Sequence, residues 1–80
     1  MMNNYRFFHW TIPARNNEEF VERLWITSHA DTGSLKQYME EVAERAYKAY
    51  GAFIRTTNVN IFVNDMVREG CLRIEPIMAN

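Results

Sequence analysis

Ser34-Leu35-Lys36-Gln37-Tyr38-Met39-Glu40-Glu41-Val42-Ala43-Glu44-Arg45-Ala46-Tyr47-Lys48-Ala49-Tyr50-Gly51 contains the middle of a helix and both of its ends. Ser34 with Gln37 three residues on is a capping box, in which a hydroxyl and a side-chain amide take up backbone donors that the first turn leaves free. Leu35, Tyr38, Met39, Val42, Ala46, Ala49 and Tyr50 form an apolar stripe at helical spacing, and Lys36, Glu40, Glu41, Glu44 and Lys48 cover the solvent side. Gly51 stands where a left-handed residue closes a helix. The spacing predicts a helix over residues 34–50. Ala43, Ala46 and Ala49 are small, so a neighbouring element can approach that side closely.

Outward from this helix the pattern changes to that of strands. Tyr5 to Ile12 is rich in aromatics and stops at Pro13, as a strand would. Its alternation puts Phe8, Trp10 and Ile12 on one face and Phe7, His9 and Thr11 on the other. Ala52 to Val63 reads as a second strand, with Val59, Ile61 and Val63 alternating with Asn58, Asn60 and Phe62. Cys71 to Ile77 reads as the last, with Leu72 and Ile74 inward, Arg73 and Glu75 outward, and Pro76 marking its end or an edge. Glu69-Gly70 supplies the turn before it.

Residues 17–27 admit two readings. The paired pattern places Phe20, Val21, Leu24 and Trp25 on one helical face, with Asn17 as a cap and Glu19 and Arg23 spaced for an i,i+4 pair. The rival is a hairpin turning at Asn16-Asn17, with Trp10 facing Arg23 and Phe8 facing Trp25. Period-two alternation fails at Glu22 and Arg23, so the helix is the expectation. The resulting fold class is α+β. A small three- to four-stranded, mainly antiparallel sheet carries one long helix, about 34–50, on one face. Its last two strands form a hairpin, and residues 1–80 are a single domain.

The chain has 80 residues, 48% of them hydrophobic and 24% charged, which is a globular and not a disordered composition. A net charge of −1 lacks both the basic excess of a dedicated nucleic-acid binder and the acidic excess of a DNA mimic. The single cysteine forbids an internal disulfide. Met1-Met2-Asn3-Asn4 does not read as a secretory signal, and with the lone Cys71 it points to the reducing cytoplasm. No segment approaches the roughly 20 apolar residues of a membrane span. A core this small supplies only a few kcal/mol of net stability, so a homodimer is one expected way to gain more.

Motifs for chemistry are sparse. His9, His29, Asp31 and Cys71 are metal-ligand types, but none lies at a ligand spacing from another. Ser28, His29 and Asp31 crowd one short loop that does not readily fold onto itself as a catalytic triad, and Cys71 reads as a small core residue. Glu40, Glu41 and Glu44 read as a solvated helix face. No catalytic, metal or cofactor site is expected. Thr56 to Asn64 is uncharged and β-prone between Arg55 and Asp65, either a central strand or an edge open to strand addition.

The remaining signal is arginine and aromatics. Seven of the nine basic residues are arginine, the better residue for planar, bidentate contacts. Arg6, Trp10, Arg23, Trp25 and Arg55 are the candidate partner-binding residues, because these types anchor protein interfaces. The same patch, with His9 and Arg15, would also suit single-stranded nucleic acid or RNA. No RNP-type motif or GXXG loop accompanies it. In organisation the chain resembles small phage-encoded inhibitors, such as anti-CRISPR proteins and the short phage inhibitors of host RNA polymerase. It shares their length, their lack of catalytic motifs, and a layout of strand, helix like Ser34–Tyr50 and strands such as Phe53–Val63. That resemblance implies a protein that binds and blocks a host protein. It carries over no functional residue, and the near-neutral charge departs from the acidic members that mimic DNA. The expectation is a non-enzymatic protein-interaction module, with a small nucleic-acid-binding domain as the alternative.

Overall fold

The computed structural model describes residues 2–28 and 33–77. Three strands and three helices follow in the order β1 (Asn3–Phe7), β2 (Trp10–Ala14), α1 (Asn17–Thr27), α2 (Leu35–Tyr50), α3 (Val59–Arg68) and β3 (Leu72–Pro76). The sheet is antiparallel with order β2-β1-β3. The fold class is α+β.

The expected strand from Tyr5 to Ile12 is a hairpin. Phe7 faces Trp10 across a two-residue turn at Phe8-His9, and Phe8 has φ of 55°. Turns of this kind usually announce themselves with glycine or asparagine. Neither is present, so the turn left no mark in the sequence. The inward face carries Tyr5, Ile12 and Ala14, all buried, with Phe7 and Trp10 partly so. Phe8 leaves that face and is exposed.

Residues 17–27 are helical, which removes the hairpin alternative. Asn16, not Asn17, is the cap: its side chain accepts from the Glu19 N–H at 2.8 Å. The Glu19 carboxylate in turn accepts from the Arg15 N–H at 3.0 Å and pairs with Arg15 and Arg23, each at 3.4 Å. The Arg15 N–H, with the two guanidiniums adding, holds Glu19 below the usual carboxylate range. For α2, Ser34 accepts from the Gln37 N–H at 3.2 Å and Gln37 accepts from the Gly33 N–H at 3.0 Å. Gly51 closes it with φ of 70°, its N–H donating to the Tyr47 carbonyl.

Residues 52–63 are not a strand. Ala52–Thr56 runs without regular structure, and α3 begins at Val59 with Asn58 as its cap. Period two loses to period 3.6 because Phe62, Val63, Asp65 and Met66 together make one buried helical face. No last-strand hairpin forms either, because β3 pairs with β1. Thr56–Asn64 is therefore neither the central strand nor the edge for strand addition that its composition suggested.

The long helix is also placed differently from expectation. α1 covers β2, α3 covers β3, and α2 packs against α1. Tyr38, Met39, Val42 and Ala46 of α2 enter the shared core with Phe20, Val21, Leu24, Phe62 and Met66. Tyr5 ties three elements together. Its ring stacks on Phe20 at 4.4 Å, and its hydroxyl donates to Asn17 Oδ1 at 2.9 Å. Asn17 passes the link to Asn60 on α3, also at 2.9 Å.

Candidate functional site

The β1–β2 turn faces α2, with Phe8 of the turn set against Tyr50 at the end of the helix. Between them lies a cleft of about 560 Å³. The turn contributes Phe7, Phe8, His9 and Trp10, and α2 contributes Tyr38, Val42, Arg45, Ala46, Ala49 and Tyr50. Leu24 and Ser28 of the α1 end close it. The small residues Ala46 and Ala49 make room that a larger side chain would fill. At the rim Phe8 stacks on Tyr50 with ring centroids 5.5 Å apart, and Phe7 meets Phe8 edge-on at 4.6 Å. These rim aromatics stay wet: Phe8 is 51% exposed and Tyr50 65%.

Phe8 is the unusual member. A bulky residue at positive φ is strained by roughly 1–2 kcal/mol. Glycine is the residue normally selected at such a turn position. Here the strain holds a phenyl ring at the surface, over another exposed ring.

The cleft is mostly apolar. Its lining holds no carboxylate. Arg45 and His9 are its ionisable groups other than tyrosine, and Arg45 makes no ion pair among the described residues. Tyr38 is pinned at the floor, its hydroxyl donating to the Leu24 carbonyl at 3.5 Å and its ring stacked on Trp25 at 6.3 Å. Burial pushes its phenol up, while the Ser28 hydroxyl and the Arg45 charge act against that. A groove of this size and lining has the shape and apolar character of sites that take an apolar or aromatic group.

The five expected contact residues are spread around the molecule. Trp10 lines the cleft and, on its other side, a hollow of about 280 Å³ shared with Arg23 and the exposed Ile26. Arg23 there donates to the Pro13 carbonyl at 2.9 Å. Trp25 is half-buried against Tyr38. Arg6 lies on the outer sheet face with Glu75 at 2.7 Å. Arg55 grips Asp65 with Nε at 2.9 Å and Nη2 at 3.0 Å, and its backbone N–H donates to the same carboxylate.

Asp65 is a structural hub. Its side chain is only 2% exposed, and Arg68 binds it too, at 3.0 Å. Arg68 also donates to the Phe53 carbonyl, while the Phe53 N–H donates to Glu69. These bonds hold the irregular segment 52–56 onto α3. Hydrogen bonds from Arg55 lead the causes that keep the Asp65 carboxyl far below its ordinary range.

Other chemistry-bearing residues do not converge. His29 and Asp31 lie outside the described residues. Among the described residues no His, Cys, Asp and Glu gather into a metal-binding group. Cys71 is half-buried, and burial pushes its thiol up, the reverse of nucleophile activation. Glu44 is bridged to Lys48 at 2.9 Å on a solvated face. No helix among the described residues is long and apolar enough to cross a membrane.

Phe8, Tyr50 and Arg45 line the cleft without any sequence signal that marks them as site residues. Phe8 and Tyr50 read as core from their spacing, and only the unmarked turn at Phe8-His9 could have revealed otherwise. Comparison of the chain with protein-family models, with curated proteins and with solved structures returned no match.

Proposed function

We propose that this chain is a non-enzymatic protein-interaction module that seats an apolar or aromatic side chain of a protein partner in the cleft between the β1–β2 turn and α2. The observation that carries the reading is Phe8, held half-exposed at positive φ and stacked on the exposed Tyr50. Large rigid aromatics beside a concave surface are the usual anchors of an interface.

The electrostatics support a protein partner over the nucleic-acid alternative. Arg6, Arg15, Arg23, Arg55, Arg68 and Arg73 each have a carboxylate within salt-bridge reach, from 2.7 to 3.8 Å. Phosphate binding needs cations that are not already neutralised. The resemblance to phage inhibitors would make the partner a host protein and the binding a block, acting in the cytoplasm. Phe53–Val63 departs from the strand of the shared layout.

Phe8→Gly tests the reading. Glycine relieves the backbone strain at position 8 but removes the ring. The melting temperature is expected to stay within a few degrees, while capture of a partner from nuclease-treated lysate of the native host falls at least tenfold. Capture that persists with Phe8→Gly in a folded chain, or that disappears for the wild type on nuclease treatment, removes the proposal.

A further inference from the structure

The sheet has two outer edges, and they are finished differently. In an antiparallel sheet, alternate residues of a strand direct their backbone groups toward one neighbour and the rest toward the other side. Ile77 donates its N–H to the Met2 carbonyl at 3.2 Å, one step beyond a register in which Asn4 faces Glu75 and Arg6 faces Arg73. The odd-numbered residues of β3 therefore address β1. The two-residue turn between Phe7 and Trp10 sets the same alternation independently, with odd residues of β1 addressing β2. Leu72, Ile74 and Pro76 are left to direct their backbone groups to the open side of β3.

The β2 edge is blunted. Pro13 occupies an outward position without an N–H, and its carbonyl is taken by Arg23. On β3 no hydrogen bond from another described element covers Leu72 or Ile74.

The side chains of β3 then select an occupant. On the outer face Arg6 and Arg73 are direct cross-strand neighbours, and like charges in that position repel. Both lean on one carboxylate: Glu75 lies 2.7 Å from Arg6 and 3.8 Å from Arg73. We infer that β3 is a homodimerisation edge, where two copies of this chain pair antiparallel through Leu72–Pro76 about a two-fold axis at Ile74.

That register places Arg73 opposite the partner's Glu75 and Glu75 opposite the partner's Arg73, so Arg73 of each copy gains a second carboxylate neighbour. Centring on Arg73 or on Glu75 instead would set like charges face to face. The backbone agrees. Ile74 exchanges N–H and C=O with the partner's Ile74, and Leu72 donates to the carbonyl of the partner's Pro76. Pro76 is asked for an acceptor at both copies, and only the Leu72 carbonyl at each end is left to solvent. The half-buried Ile74 side chain meets its own copy on the inner face. The contact is isologous and closes, giving one continuous sheet and no fibre. It is independent of the cleft reading.

Sedimentation of the full chain from micromolar to millimolar concentration tests this. The wild-type mass is expected to move from one chain to two, with the Leu72 and Ile74 amides gaining exchange protection as it does. Arg73→Glu and Glu75→Arg are each expected to weaken the dimer at least tenfold, and the double swap Arg73→Glu/Glu75→Arg to restore it within a few-fold. Circular dichroism confirms that each variant is folded. A wild type monomeric throughout, a dimer untouched by Arg73→Glu, or a folded double swap that stays monomeric overturns the inference.

Discussion

Replacing Phe20 with alanine is expected to cost about 4 kcal/mol, a large part of the ~4–12 kcal/mol that a domain of this length has in total. The ring is fully buried where β1, α1 and the core side of α3 meet, and it lies flat on Tyr5 with an interplanar angle of 7°. Truncation loses its own transfer energy, leaves a cavity in the shared core, and removes the stacked pair with Tyr5, itself worth ~0.5–1.5 kcal/mol. It also frees Tyr5, whose burial-raised phenol donates to Asn17 and through it reaches Asn60. Urea unfolding should show a sharply lowered midpoint or no cooperative transition, with Phe20→Leu in between. A midpoint for Phe20→Ala close to wild type would mean that this junction is not the centre of the core.

Asp65→Asn is expected to lower the melting temperature by roughly 10 °C or more at neutral pH, because it leaves two guanidiniums gathered around a group that no longer carries charge. The segment 52–56 has no ladder of its own; Arg55 and Arg68 attach it to α3 through this carboxylate. The acid side of the stability profile should carry its signature. Asp65 titrates well below its ordinary range in the folded chain and near about 4 in the unfolded chain. As pH falls below that value the unfolded state takes up the proton first, so the contribution is complete above the unfolded pKa and is lost toward the folded one. The wild type should therefore lose stability steeply below about pH 4, and Asp65→Asn should lose less over the same range. Parallel acid limbs would contradict the hub.

The helix α2 was legible to its ends because Ser34, Gln37 and Gly51 are local signals, and β3 because its alternation and its turn are both written in the chain. α3 was not. Val59, Ile61 and Val63 alternate as a strand would, and Asp65 looked like a charge guarding one end of it. What makes the segment a helix is a buried face that includes that aspartate, and the face is tolerable only because Arg55 and Arg68 reach it through tertiary structure. The hairpin was hidden for the opposite reason: Phe8-His9 turns without any turn residue. That single unmarked turn also moved Phe8 from the expected core to the rim of the cleft. The aromatic character of the site could be read from composition, but its position depends on this turn and on where α2 stops at Gly51. Of the residues expected to make contact, Trp10 lines the cleft, while Arg6, Arg23 and Arg55 are engaged in ion pairs within the chain.

The most direct test of the interaction reading is photo-crosslinking in native-host lysate. The photoreactive phenylalanine analogue benzoylphenylalanine would replace Phe8 in one sample and Glu40, on the solvent side of α2, in another. The account predicts one discrete protein adduct from position 8, unaffected by nuclease, and none from position 40. No protein adduct from position 8, equal adducts from both positions, or an adduct that nuclease removes would contradict it.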